Sequence, residues 1–152
     1  MPPHGPGMSG ATHSHDAEFP DDDWNLYAQL DTATTTGLNV TNQSDVVGIF
    51  KPFAMRMNEV PTVYSDADEE IMIIAQFVSP VHIRKLCIIG GGEDDAQHPD
   101  VLKCYVNQQN IDFTGVNDIV PSQQFTLPVN RDGSVELVTA LRPFTNVLSL
   151  AF

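Results

Sequence analysis

The apolar residues of this chain come in short runs, and turn formers close them. The run Ile71-Met72-Ile73-Ile74-Ala75-Gln76-Phe77-Val78 ends at Ser79-Pro80, and the run over residues 81–89 ends at Gly90-Gly91-Gly92. Others cover residues 60–64, 101–106, 124–129, 135–141 and 146–152. Short runs separated by Gly, Pro, Asn and Asp predict strands, and a series of them predicts an all-β sandwich or barrel. No long stretch carries a helical period. Residues 24–30 fit a short helix or an edge strand equally well.

Local pattern sharpens this expectation. Ser79-Pro80 is too short for a crossover, so the runs on either side of it are expected to form an antiparallel hairpin. Val135, Leu137, Thr139 and Leu141 alternate along one face of their run, and Leu148, Leu150 and Phe152 share a face in the last. The unbroken apolar stretch over residues 86–89 violates period two, which predicts a bulge or a strand covered on both faces.

The chain has 152 residues, about one domain. Its 7 Lys and Arg against 20 Asp and Glu give a net charge of −13. That excess disfavours nucleic acid, whose phosphates are bound by clustered cations, and it disfavours an anionic membrane surface. No apolar run approaches the roughly 18 residues of a membrane span. The chain opens on Met1-Pro2-Pro3-His4-Gly5, without the basic and apolar regions of a secretory signal, and its two cysteines make no disulfide framework. A cytoplasmic and nuclear setting is therefore expected, in which the sequons at Asn39 and Asn42 have no consequence. Residues 1–23 hold four prolines, three histidines and Asp21-Asp22-Asp23, with almost nothing to bury. They are expected to form a disordered tail ahead of a domain over residues 24–152.

Chemistry-bearing motifs are few. His4, His13 and His15 offer weak chelation at most, and a terminal copper clamp fails because Pro3 has no N–H to give up. Residues 93–98 lack the ligand spacing of a calcium loop. Gly90-Gly91-Gly92 is followed by Glu93-Asp94-Asp95, which would repel a phosphate, so the glycines are read as the exit from a strand. Cys87, inside an apolar run, reads as a small hydrophobe, whereas Lys103 beside Cys104 would lower the pKa of that thiol. There is no Cys-x-x-Cys, Gly-x-Ser-x-Gly or His-Glu-x-x-His. No catalytic residue, metal site or cofactor is assigned. Trp24 is the only tryptophan, and Phe50, Phe53 and Phe144 read as core residues rather than a sugar platform.

Several segments, taken in order, resemble the PITH domain. They are Gly48-Ile49-Phe50-Lys51-Pro52-Phe53, then Tyr64-Ser65-Asp66-Ala67-Asp68-Glu69-Glu70, then Ile88-Ile89-Gly90-Gly91-Gly92-Glu93-Asp94-Asp95 with His98-Pro99. Leu102-Lys103-Cys104-Tyr105-Val106-Asn107, Asp112-Phe113 and Arg142-Pro143-Phe144-Thr145-Asn146-Val147 continue the series. The His-rich start is similar to that of stand-alone members of the family. The resemblance implies a jelly-roll β-sandwich of galactose-binding-like type, association with the proteasome or its regulatory particle, and no established catalysis. Members of the family continue past the position of Phe152 with at least one more strand. The domain is thus expected to lack its last strand or strands and to self-associate through an unpaired edge.

These strands of inference converge on a non-enzymatic protein-interaction module with proteasome subunits as partners. Asp66, Asp68, Glu69 and Glu70, with Glu93, Asp94 and Asp95, are expected to form an acidic face that steers a basic partner. Two alternatives remain at this stage. One is a lectin-like jelly roll with an aromatic-lined depression; the other is a thiol-based redox accessory acting through Cys87 or Cys104.

Overall fold

The computed structural model describes residues 25–90 and 92–152; residues 1–24, with the expected tail, its histidines and Trp24, lie outside the described residues. In chain order the elements are β1 (Thr36–Leu38), α1 (Gln43–Gly48), β2 (Met72–Val81), β3 (Lys85–Leu86) and β4 (Val101–Val106), followed by α2 (Phe113–Val116), β5 (Gln123–Thr126), β6 (Leu137–Val138) and β7 (Val147–Ala151). Five strands form an antiparallel sheet in the order β1-β2-β7-β4-β5, and β3 pairs with β6 in a second sheet. The expected all-β sandwich is the fold. Both helices are short and capped locally: Asn42 accepts from Ser44 N–H, and Asp112 accepts from Gly115 N–H at 2.6 Å.

The sandwich core holds Val81, Ile83, Leu102, Cys104, Leu127, Leu137, Phe144, Val147 and Leu150. A second cluster uses the opposite face of the large sheet, where Met72, Tyr105, Ile111 and Ala151 are covered by Phe113, Val116 and Ile119. Adjacent residues of the central strands therefore bury in opposite directions, Cys104 against Tyr105 and Leu150 against Ala151. Each large side chain removed from water in this way stabilises the fold by about 1.5–3 kcal/mol.

The hairpin expected around Ser79-Pro80 does not form. β2 runs straight through those two residues, and its partner is β7. Between paired residues β2 advances from Gln76 to Val81 while β7 advances only from Ser149 to Val147, so β2 bulges there. Proline is tolerated because the bulged residues are outside the ladder. Of the 81–89 run only Val81, the last residue of β2, and Lys85–Leu86 are strand, with Leu86 and Ile88 packed on the core. Residues 60–64 form no strand. The 135–141 run shrinks to Leu137–Val138, and Leu141 is exposed. In β7, Leu150 is buried but Leu148 is exposed. Residues 26–29 form a 3-10 turn, and Leu30 then bridges to Phe77, so helix and edge pairing both occur in that segment.

Two glycines are required by close packing. A Cβ on Gly37 would stand 2.9 Å from Val46 Cγ2, which sits fully buried between α1 and β1, and one on Gly48 would land on the Pro61 ring. The outer edge of β1 is occupied by a side chain. The Gln43 amide donates to the Gly37 carbonyl at 2.9 Å and accepts from Gly37 N–H at 2.8 Å, as a neighbouring strand would.

Candidate functional site

β2 and β4 are each antiparallel to β7, so they run in the same direction. The acidic loops that lead into them, residues 65–70 and 93–95, consequently leave from the same end of the five-stranded sheet. All of the predicted site residues are exposed.

The first loop is held by Asn39. This residue adopts a left-handed backbone with φ 56°, a conformation in which Asn is enriched. Its side chain accepts from Ala67 N–H at 2.9 Å and donates to the Asp68 carboxylate and the Glu70 carbonyl, each at 2.6 Å. Its own carbonyl accepts from Asp66 N–H. Asp68 also accepts from Glu70 N–H at 3.0 Å. Asp68 is therefore a structural member of the loop. The carboxylates of Asp66, Glu69 and Glu70 have no hydrogen bond or ion pair among the described residues.

The second loop divides in the same way. Asp94 caps a 3-10 turn over residues 95–97 by accepting from Ala96 N–H. Asp95 receives both Nε and Nη2 of Arg131, at 2.9 and 2.6 Å, and Arg131 Nη1 donates to the Gly92 carbonyl. The pair is exposed, so it orients the loop more than it stabilises the fold. Glu93 is unengaged among the described residues. Gly92 has φ +47° and provides the turn that the glycine run predicted, while Gly91 lies outside the described residues.

Beneath this loop sits a buried polar pair that the sequence reading missed. His98 Nε2 accepts from Asn130 N–H at 3.1 Å, and Nδ1 is 2.8 Å from the Pro99 carbonyl. That arrangement fixes the proton on Nδ1 and leaves no lone pair for a metal. The Asn130 amide donates to the carbonyls of Ile88 and Val135 and accepts from Val135 N–H. It ties together three segments that lack strand pairing there. No group of three or more His, Cys, Asp or Glu suited to a metal ion occurs among the described residues.

Desolvation raises the pKa of both thiols. Cys104 is fully buried, and burial pushes its pKa up to about 12, opposite to the lowering expected from Lys103. Lys103 projects from the other face of β4 and is exposed. Cys87, expected inside the core, is exposed. Its sulfur nevertheless lies 3.6 Å from the Asn130 amide and 3.7 Å from the Gly133 carbonyl, and partial desolvation raises its pKa despite the bond from Asn130.

A depression of about 370 Å³ opens over β1 and β2, lined by Thr36, Gln76, Gln108, Gln109 and Asn110 above Ile74 and Ile111. Its lining is amide and aliphatic, without the aromatic platform that a lectin-like site was expected to supply.

A family model described as the PITH domain matches residues 16–152. The chain is 33% identical to PITH domain-containing protein 1 of Dictyostelium discoideum, over 90% of this chain and 66% of that protein. It is 31% identical to the human protein of the same name, over 84% of this chain and 59% of the relative. A PITH domain-containing protein of Drosophila melanogaster is 29% identical over 99% of the chain and 74% of its own length. The chain thus spans less than two thirds of the length of the first two.

Proposed function

The chain belongs to the PITH domain family, and from that premise we propose that it is a non-catalytic interaction module whose acidic sheet end receives a basic surface of the proteasome or its regulatory particle. The observation that carries this reading is the split within each acidic loop. Asn39 and Arg131 immobilise Asp68 and Asp95, which holds Asp66, Glu69, Glu70 and Glu93 outward without partners of their own. Carboxylates presented on a fixed loop lose little entropy on meeting a cation, so they favour steering and register over raw affinity. The proposed setting is the cytoplasm and nucleus.

Affinity capture from cell extract at low and high salt tests this. The unmodified chain is expected to retain proteasome subunits at low salt and to lose them as salt rises. The variant Asp66→Asn, Glu69→Gln, Glu70→Gln is expected to lose them at both. Unchanged recovery with that variant would remove the acidic end from the account.

A further inference from the structure

The depression over β1 and β2 lies on the face of the large sheet turned away from the sandwich core. Its floor is Ile74 and Ile111, both part of the second apolar cluster. Around that floor stand four side-chain carboxamides, those of Gln76, Gln108, Gln109 and Asn110, and the Thr36 hydroxyl. None of the four carboxamides makes a hydrogen bond among the described residues. The lining contains no ionisable side chain.

The backbone beneath these groups is fixed on both sides. Gln76 N–H donates to Thr35 Oγ1 at 3.0 Å, and its carbonyl accepts from Asp31 N–H at 2.7 Å. Asn107 anchors the facing loop: its Oδ1 accepts from the N–H groups of Leu148 and Ser149 at 2.8 and 3.1 Å, and its amide donates to the Asn146 carbonyl at 3.1 Å. Asn107 and Asn110 both adopt the left-handed backbone, at φ 54° and 55°, which bends the loop between them. A ligand meets the carboxamides on backbone that is already ordered, which lowers the entropy cost of binding.

The lining selects the ligand. With no counter-charge there and a net charge of −13 on the chain, an anion is disfavoured, and a cation finds its carboxylates at the acidic loops instead. The floor is branched aliphatic, without the aromatic face on which a sugar ring stacks. A peptide main chain is neutral and carries one donor and one acceptor per residue, which suits a ring of carboxamides. The protein already reads main chain in this manner beside the depression. The Gln43 amide, which also accepts from the Thr36 hydroxyl, donates to the Gly37 carbonyl and accepts from Gly37 N–H.

We propose that the depression binds an uncharged main-chain stretch of a partner protein, whose N–H and C=O groups pair with Gln76, Gln108, Gln109 and Asn110 as those of Gly37 pair with Gln43. The residue over Ile74 and Ile111 is small and apolar, and its neighbours are uncharged. A volume of about 370 Å³ stands near the lower end of the range for ligand pockets and limits the stretch to a few residues. The site is separate from the acidic loops, and its chemistry is independent of theirs.

NMR titration of the isotope-labelled chain with the capped peptide acetyl-threonyl-alanyl-threonyl-glycine amide tests it. Saturable shifts are expected in the side-chain amides of Gln76, Gln108, Gln109 and Asn110, equal at low and high salt. The same peptide N-methylated at alanine and at the second threonine keeps its side chains but loses two donors, and it is expected to bind about tenfold more weakly. Gln76→Leu, and separately Gln109→Ala at an exposed loop position, are each expected to weaken binding about three- to tenfold with an unchanged melting temperature. The Asp66→Asn, Glu69→Gln, Glu70→Gln variant is expected to bind the peptide normally, so failure here is distinct from failure of the acidic end. No saturable shift, equal binding of the N-methylated peptide, or equal shifts with N-acetylglucosamine would each overturn the proposal.

Discussion

The Asn39 amide nitrogen lies 2.6 Å from the Asp68 carboxylate, across twenty-nine positions of sequence, and this contact fixes the loop that carries the unengaged carboxylates. Because Asn39 has a positive φ, two effects can be separated at one position. Asn39→Gly keeps the backbone relaxed and removes the side-chain bonds, which predicts a loss of about 1–2 kcal/mol by chemical denaturation. Asn39→Ala adds left-handed strain of about 1 kcal/mol. Both are expected to speed proteolytic cleavage within residues 65–70. Equal stability of the two variants would contradict the strain argument.

Gly48 offers a prediction opposite in sign to helix propensity. It closes α1, where alanine is the better helix former, yet its Cβ would land on Pro61. Gly48→Ala is expected to lower stability by about 1–3 kcal/mol. A stabilised variant in thermal melts would mean that the 60–64 segment moves freely.

Cys104 makes stability fall at high pH. Its folded pKa of about 12 stands above the unfolded value of 9.0, so the contribution is intact below pH 9 and is lost as pH rises from there toward 12. At one unit above 9.0 the loss is about 1.4 kcal/mol. Cys104→Ala is expected to be less stable at neutral pH but to show a shallower decline over that interval, measured by urea unfolding at a series of pH values. Parallel curves would contradict it.

Thiol labelling separates the two cysteines. Cys87 is expected to react with maleimide in the folded protein, more slowly than a free thiol because its pKa is raised, and Cys104 only after unfolding. Rapid labelling of Cys104 under native conditions would revive the redox reading.

Much of the fold is written locally in the chain. The alternating, β-rich stretch at β4 is legible to the residue, Val101–Val106, and β7 lies within the run that predicts it. The path of β2 is not, because proline marks a turn in sequence statistics but sits here in a bulge, and only the pairing with β7 decides between the two. Cys87 was misplaced for a related reason: an apolar run implies burial only if the strand continues, and β3 stops at Leu86. In the candidate site, the acidic residues are visible in composition, but the residues that fix them are distant in sequence. Asn39 reads as half of a sequon until its φ and its partners are known. Asn107, Asn110 and Asn146 share its left-handed conformation, so asparagines at run ends were the available signal.

The most direct test is the association rate of the purified chain with immobilised proteasome, measured across a salt series. The account predicts a rate that falls steeply with salt while dissociation changes little, and a slow, salt-insensitive rate for the Asp66→Asn, Glu69→Gln, Glu70→Gln variant. Identical association rates for the two proteins at every salt concentration, or no binding at low salt, would contradict it.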